Sequence, residues 1–268
     1  METSKPGRLP AFSPTRLGTF LDCRTKYKYI YVDRIGRFYQ KPHAYFSFGS
    51  TLHQVLQAYH GPAGTHTLEF LFHTLNSRWI TAGYESADEE TEYRELAASV
   101  LRLYHENTIN RTDLVETDAV ECNLSLNLGK FKLTGRIDRI DRHPDGSIEV
   151  VDYKSGRDTV TPDDVLNSLA MRCYMLLASR TMLATGVTGT IVALRTGTSA
   201  SASMTPSQLE AAADEISALG NDILETDITL GEPVRIQLCE KCEFILRCER
   251  AWRSSSKSRG IPAEPGER

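Results

Sequence analysis

The stretch that decides the fold is Gly135-Arg136-Ile137-Asp138, followed after thirteen residues by Asp152-Tyr153-Lys154-Ser155-Gly156. The apolar spacing around it predicts two strands, 136–143 and 148–155, which the turn residues Pro144-Asp145-Gly146 join. The second strand is apolar on both faces, which is typical of a central strand buried inside an α/β domain.

The turn between these strands sets which side chains face each other. In a three-residue loop with Gly146 in the left-handed conformation, His143 pairs with Ser147. The same register places Asp138 opposite Asp152. A two-residue turn would instead put Asp138 on the other face of the sheet, because side chains alternate along a strand.

Two carboxylates at cross-strand distance repel each other, so this pair either binds a divalent cation or strains the sheet. Oxygen ligands of this kind favour Mg²⁺ or Mn²⁺. Lys154 projects to the same face as Asp152, where a lysine beside a metal can hold a water or stabilise charge developing on a phosphate. The alternative is an exposed strand face with ordinary ion pairs, since further charged residues are close in sequence. These are Lys132, Arg136, Arg139 and Asp141.

The rest of the chain reads as one α/β domain over residues 1–252 with a helical N-terminal portion. We expect a mainly helical part (13–110), an α/β core (115–195), a helix and cysteine loop (205–252), and a disordered tail (253–268). Within these parts, further predicted elements are strands 120–128, 131–137 and 187–194, helices 161–180 and 205–224, and a mobile Gly/Ser/Thr loop at 196–203.

Composition restricts the class of protein. The chain has 268 residues, 40% of them hydrophobic, and a formal net charge of −4, so any nucleic-acid binding needs a local basic surface. Residues 1–41 carry nine Lys/Arg interleaved with aromatic residues, a pattern that suits phosphate neutralisation and base stacking or, alternatively, a solvated face over a core stripe.

The sequence shows neither a long apolar run nor a hydrophobic leader segment, which predicts a cytoplasmic protein without a membrane span.

Four of the six cysteines are candidates for a metal site. Three lie close together as Cys239-x-x-Cys242-x5-Cys248, and Cys23 supplies a fourth thiolate if the N- and C-terminal parts meet. Four thiolates suit tetrahedral Zn²⁺ or an iron–sulfur cluster, and spacing alone leaves both open. The other two, Cys122 and Cys173, lie on apolar stripes and are expected to be small core residues.

Together these motifs resemble those of a known protein family. Gly135-x-x-Asp138 followed by Asp152-x-Lys154 resembles the PD-(D/E)xK nuclease superfamily, and residues 150–156 are similar to its RecB-like branch. The resemblance implies a restriction-endonuclease-like core, with a central mixed β-sheet flanked by helices. The segment 49–53 resembles the branch's helical histidine motif. The implied metal ligands are His53, Asp138, Asp152 and the main-chain carbonyl of Tyr153, and Lys154 is implied to be catalytic. The alternative for His53 is a packed core histidine.

The cysteine pattern resembles the iron–sulfur RecB-like nucleases, which include AddB and CRISPR-associated exonucleases. This implies a structural 4Fe-4S cluster in a C-terminal loop, held by Cys23, Cys239, Cys242 and Cys248. One motif departs from the family, because Ala170 stands where its Gln-x3-Tyr motif has glutamine. Tyr174 matches the tyrosine and is a candidate substrate contact, with core packing as the alternative.

The resemblance implies a metal-dependent DNA nuclease that uses Mg²⁺ or Mn²⁺. By family analogy it is an exonuclease on single-stranded DNA or DNA ends, in repair, recombination or CRISPR-type processing, with a helicase or CRISPR/repair partner. Two other classes remain as alternatives: a noncatalytic DNA-binding or assembly subunit, and a zinc-stabilised protein without a DNA role. Intact Asp138, Asp152 and Lys154 argue against the first, since a pure binder has no need of them.

Overall fold

The computed structural model describes residues 9–110, 115–156, 158–229 and 232–258. The chain divides into two compact units, each assembled from two separate segments. The first comprises Met1–Pro14 and Pro42–Gly220, and the second comprises Thr15–Lys41 and Asn221–Arg268. The single domain over 1–252 stays a prediction.

The helices and strands follow one another along the chain. In order they are β1 (Ala11–Phe12), α1 (Pro14–Asp22), α2 (Arg24–Tyr27), a π-helical turn (Lys28–Val32), a 3₁₀ turn (Gly36–Phe38), α3 (Ala44–His60), α4 (Leu68–Arg78), α5 (Ala87–Ile109), β2 (Glu116–Asn127), β3 (Lys132–Arg142), β4 (Ile148–Lys154), α6 (Pro162–Asn167), α7 (Leu169–Thr181), β5 (Val187–Ala193), β6 (Thr198–Ser203), α8 (Pro206–Glu225), a second 3₁₀ turn (Gln237–Lys241) and α9 (Ile245–Ser258). Within the described part of the chain, none of these helices combines the length and apolar character needed to cross a membrane.

The first unit is built on a mixed sheet flanked by helices, which confirms the predicted fold class. The strand order is β1-β3-β4-β5-β6, and β2 pairs with β3 off this path. Strands β3 and β4 are antiparallel, whereas β4 and β5 are parallel. Val151 packs with Leu56 and Leu101 of α3 and α5, while Val150 packs with Met175 of α7. Consecutive residues of β4 thus face different helical layers, which is why this strand is apolar throughout.

The hairpin between β3 and β4 has the predicted register. The amide of His143 donates to the carbonyl of Ser147 at 2.9 Å, and Gly146 adopts a φ of 83°. Arg139 pairs with Val151 and Arg142 with Ile148. Continuing this register by one residue places Asp138 opposite Asp152.

Three elements differ from the sequence predictions. The helix predicted over 161–180 is two helices, because Ser168 leaves the helical conformation (φ −68°, ψ 115°) and its hydroxyl caps α7 by accepting from the amide of Met171. The loop predicted at 196–203 is largely strand β6, which pairs with β5. Helix α9 includes the first residues of the predicted disordered tail, and residues 259–268 lie outside the described part of the chain.

In the second unit, the aromatic residues of the basic N-terminal segment are mostly structural. Phe20, Tyr27 and Tyr29 are buried, and Tyr29 packs with Phe244 and Cys248. The packing alternative is therefore confirmed for these three rings, and the prediction that they stack bases is wrong.

The register of the β3–β4 hairpin depends on Gly146, because the left-handed conformation costs other L-residues about 1–2 kcal/mol. A Cβ atom there would also lie 3.3 Å from Cγ2 of Thr185. We expect Gly146→Ala to lower the free energy of unfolding by about 1–2 kcal/mol in urea denaturation. The matched control is Gly186→Ala, whose Cβ would meet nothing closer than 3.9 Å. Equal stability of the two variants would contradict the argument.

Candidate active site

The two strand carboxylates meet on β3 and β4, where the sequence predicted them. Oδ2 of Asp138 accepts a hydrogen bond from the main-chain amide of Tyr153 at 2.8 Å. Asp152, one residue earlier on β4, is buried with 8% of its surface exposed. Burial raises the pKa of Asp152, the charge of Lys154 opposes this shift, and the charge of Asp138 adds to it. The carboxylates therefore act on each other, as two like charges in one low-dielectric site must.

Helix α3 brings His53 to this pair. Nδ1 of His53 lies 3.2 Å from Oδ1 of Asp138, and the His53 side chain is only partly buried. Burial acts to lower the pKa of His53, but the hydrogen bond and charge of Asp138 outweigh it and the pKa is raised. The imidazole is thus held against a carboxylate, unlike a histidine packed among apolar side chains. Glycine at 49 permits the close approach, since a Cβ there would lie 2.7 Å from Oγ of Ser155.

Glu121 on β2 joins the site, and the sequence analysis missed it. Val120 pairs with Arg139 and Cys122 with Ile137, so Glu121 lies opposite Asp138. One ligand atom each from His53, Glu121 and Asp138 lies within 4.8 Å of the others. The residue has a φ of 49°, an uncommon left-handed conformation for glutamate. Such strain gathers at functional sites.

The surroundings of Glu121 leave one of its oxygens without a hydrogen bond. Oε2 is buried and lies 2.6 Å from Nε of Arg136, an ion pair whose geometry does not make a hydrogen bond. Burial raises the pKa of Glu121, the charge of Arg136 lowers it, and the charge of Asp138 raises it again. A buried carboxylate oxygen without a hydrogen bond beside His53 and Asp138 is a suitable ligand for a cation.

Lys154 lies at the end of β4, beside Asp152. Its Nζ is 2.6 Å from Oδ2 of Asp152, and half of its side chain is exposed, whereas the Asp152 side chain is 11% exposed. The ammonium group therefore reaches from a buried carboxylate towards the solvent side of the site. Between the two residues, the Tyr153 ring packs edge-to-face on His53 with the ring centroids 5.9 Å apart, and its hydroxyl contacts Tyr104 and Arg139.

Tyr174 on α7 lies close to the same carboxylates. Burial raises the pKa of Tyr174, and the charges of Asp152 and Asp138 raise it further. Its ring also packs over Gly135, where a Cβ would lie 3.0 Å from Cε1 of Tyr174. The ring is thus both a packing element and a neighbour of the site.

A cleft of about 920 Å³ opens beside the site. His53, Glu121 and Arg136 line it, together with residues from α3 and the end of α4. Because two of the candidate ligands, His53 and Glu121, line this cleft, it is the natural entry for a substrate.

The four cysteines predicted to bind a cluster all belong to the second unit. Sγ of Cys23 accepts from the amide of Lys26, and Sγ of Cys239 accepts from the amide of Ile236, each at 3.4 Å. Burial raises the pKa of Cys248, a hydrogen bond with Tyr29 lowers it, and the charges of Cys242, Cys23 and Cys239 raise it. The charges of the other three cysteines therefore all act on Cys248.

The remaining cysteines are packing residues, as predicted. Cys173 is fully buried on α7, and Cys122 packs from β2 against the apolar cluster that contains Ile137 and Ile140.

Comparisons with known proteins place these features in a family. A protein-family model described as the PD-(D/E)XK nuclease superfamily matches residues 11–249. A search of curated proteins found no match. A solved structure titled "Crystal structure of SSO0001" is 21% identical in sequence, with 60% of this chain and 79% of that chain covered and a TM-score of 0.34. Because the family model spans most of the chain, including every residue of the site, this protein belongs to the PD-(D/E)XK nuclease superfamily.

Proposed function

We propose that this protein is a metal-dependent deoxyribonuclease that removes nucleotides from single-stranded DNA or DNA ends. Membership of the superfamily implies nuclease activity and the use of divalent metals. The choice of DNA and of exonuclease action is our proposal. The observation that carries it is the group of His53, Glu121 and Asp138, whose ligand atoms lie within 4.8 Å of one another beside an open cleft, with the ion pair of Asp152 and Lys154 on the neighbouring strand β4.

We assign the metal ligands to Nδ1 of His53 and the carboxylates of Asp138, Asp152 and Glu121, with the main-chain carbonyl of Tyr153 as a further ligand. The residues present suit Mg²⁺ or Mn²⁺, because the set is mostly hard oxygen atoms with one imidazole. The buried Oε2 of Glu121, which has no hydrogen bond, supports the fit. So does the repulsion between Asp138 and Asp152, which a cation would relieve.

The bound cation would polarise the scissile phosphate and lower the pKa of an attacking water. Contacts within the protein hold the side chains that take part in this step in position. The amide of Tyr153 fixes Asp138, so its other oxygen is directed at His53. Lys154 keeps a positive charge beside Asp152, where it can hold the water or stabilise charge developing on the phosphate.

The cleft supports a nucleic-acid substrate. Arg78 and Arg136 line it with Glu121, which is ion-paired with Arg136, so the two arginines leave the lining net basic although the chain as a whole is acidic. A local basic lining of this kind meets the requirement that an acidic protein must satisfy to bind phosphates. Tyr174 is a proposed substrate contact, supported by its nearness to Asp138 and Asp152.

We further propose that Cys23, Cys239, Cys242 and Cys248 hold a 4Fe-4S cluster with a structural role. Their place in one compact unit, where the other three act electrostatically on Cys248, supports a shared ligand. Amide hydrogen bonds to two of the sulfurs are the contacts that stabilise thiolates at metal sites. Zinc is the alternative occupant.

The proposed setting is the cytoplasm, with action in repair, recombination or CRISPR-type processing beside a helicase or CRISPR/repair partner. This part of the proposal rests on the resemblance to RecB-like nucleases and on fold-level analogy.

Replacing Asp152 should abolish cleavage and replacing Lys154 should slow it strongly, while both variants keep the fold. We expect Asp152→Asn to show no cutting of end-labelled DNA in Mn²⁺ or Mg²⁺, and Lys154→Met to lower the rate about 10²–10³-fold, as loss of one electrostatic stabiliser does. EDTA should stop the wild type. Lys132→Met, an exposed lysine at the start of β3, is the control.

The cleavage products and the binding of these variants decide between the function classes. A ladder shortening from one labelled end indicates an exonuclease, and internal cuts in circular DNA indicate an endonuclease. Wild-type protein that binds DNA with salt-dependent affinity yet never cuts would support the noncatalytic subunit instead.

Glu121 gives a separate test of the metal site, because sequence motifs do not point to it. We expect Glu121→Gln to weaken Mn²⁺ binding about tenfold or more in calorimetric titration, since it removes a charged ligand. Glu116→Gln, an exposed glutamate on the same strand, is the matched control and should leave the affinity unchanged. Equal affinities for the two variants would remove Glu121 from the ligand set.

The cluster proposal predicts about four irons and four sulfides per chain in anaerobically purified protein. Changing any of the four proposed ligands to serine should lower the iron content and the unfolding temperature, whereas Cys122→Ser should keep the iron. Stoichiometric zinc without iron in the wild type would overturn the proposal.

A further inference from the structure

Two large aromatic rings stand exposed at the start of α3. Tyr45 is 56% exposed and Phe46 is 59% exposed. Their ring centroids are 4.3 Å apart, and the His43 ring stacks on Tyr45 at 5.3 Å with an interplanar angle of 16°. Neighbouring aromatic rings exposed together, unlike single scattered apolar residues, indicate a surface that binds something.

These rings belong to the same cleft as the candidate metal site. Tyr45 and Phe46 line it together with His53 and Glu121. Phe46, Gly49 and His53 are spaced by three and four residues, so they share one face of α3. Seven helical residues rise about 10.5 Å, which is about three nucleotide steps at the 3.4 Å rise of a stacked strand. When a phosphate lies at the carboxylates, a base about three nucleotides along the same strand is therefore within reach of the rings.

The chemistry of the cleft favours an unpaired base as the occupant. Every base has a π-face that stacks on an aromatic ring, whereas bases inside a duplex are already stacked on their neighbours. Arg78 and Arg136 line the cleft and can attract the phosphates of that strand. A membrane surface or an acidic peptide would use the arginines but would not need carboxylates and a histidine at the other end.

We propose that Tyr45 and Phe46 form a stacking platform that holds an unpaired base and so makes the nuclease selective for single-stranded ends. His43 is a positioning residue that supports the Tyr45 ring. This inference rests on the proposed nuclease function, since it places the scissile phosphate at the carboxylate site. It adds residues that no sequence motif indicates.

A binding experiment separates stacking from charge attraction. The full-length Asp152→Asn protein is titrated with a fluorescent single-stranded oligonucleotide, and then with versions that carry one abasic position at successive places. We expect one or two positions where base removal weakens binding about tenfold, as loss of a base–aromatic stack does. In the Tyr45→Ala/Phe46→Ala background the same abasic oligonucleotides should cause no further loss.

Two further variants serve as controls. Phe46→Trp retains a stacking surface and should retain the abasic effect, while Leu183→Ala, which removes an exposed side chain outside the cleft, should change nothing. Two outcomes would show that the platform does not exist. One is that abasic positions weaken DNA binding equally with and without the Tyr45→Ala/Phe46→Ala substitutions. The other is that no abasic position weakens DNA binding.

Cleavage assays distinguish failure of the platform from failure of the nuclease function. The Tyr45→Ala/Phe46→Ala variant that retains Asp152 should have a kcat/KM about tenfold lower than the wild type on single strands. Its rate on blunt duplexes should equal that of the wild type. Equal losses on both substrates would overturn the selectivity while leaving the nuclease intact. If the wild type neither cuts nor binds any DNA, both proposals fall together.

Discussion

The hydrogen bond between the Tyr153 amide and Oδ2 of Asp138 fixes the relation between β3 and β4 on which the site depends. A slip of one residue would send Asp138 to the opposite face of the sheet. The turn at Gly146 selects the register, and this bond reinforces it where the two strands reach the site. The carboxylates are thus held together against their mutual repulsion by the backbone, before any cation is considered.

The other side of the strand pair is equally constrained. Arg139 is almost fully buried; its guanidinium lies 3.0 Å from Asp141 and donates to the hydroxyls of Tyr104 and Tyr153. A buried arginine is stable only with such partners. Tyr153 is consequently anchored twice, through its amide at Asp138 and through its hydroxyl at Arg139. This double attachment holds the flanking Asp152 and Lys154 in place from both faces of the sheet.

Sequence reasoning reached the hairpin register because turn chemistry and strand alternation are local rules, whereas His53 was predicted only through the resemblance of residues 49–53 to a family motif. It missed Glu121, since one acidic residue on a polar strand face carries no motif, and its nearness to Asp138 depends on β2 pairing and on a left-handed backbone. Strand β6 was missed because its Ser, Thr and Ala residues resemble a loop, and only pairing with β5 makes it a strand. The break at Ser168 was hidden by continuous apolar spacing across two helices.

The second unit faces a different physical problem. It joins Thr15–Lys41 to Asn221–Arg268, segments that the chain separates by most of its length, so closing them costs loop entropy. Among its described residues, one apolar cluster has Tyr29, Phe244 and Cys248 as its buried members. Small units with limited cores are commonly stabilised by bound metal. Because Cys23 comes from one segment and Cys248 from the other, the cluster proposed here would cross-link both segments, and its binding energy would contribute directly to folding.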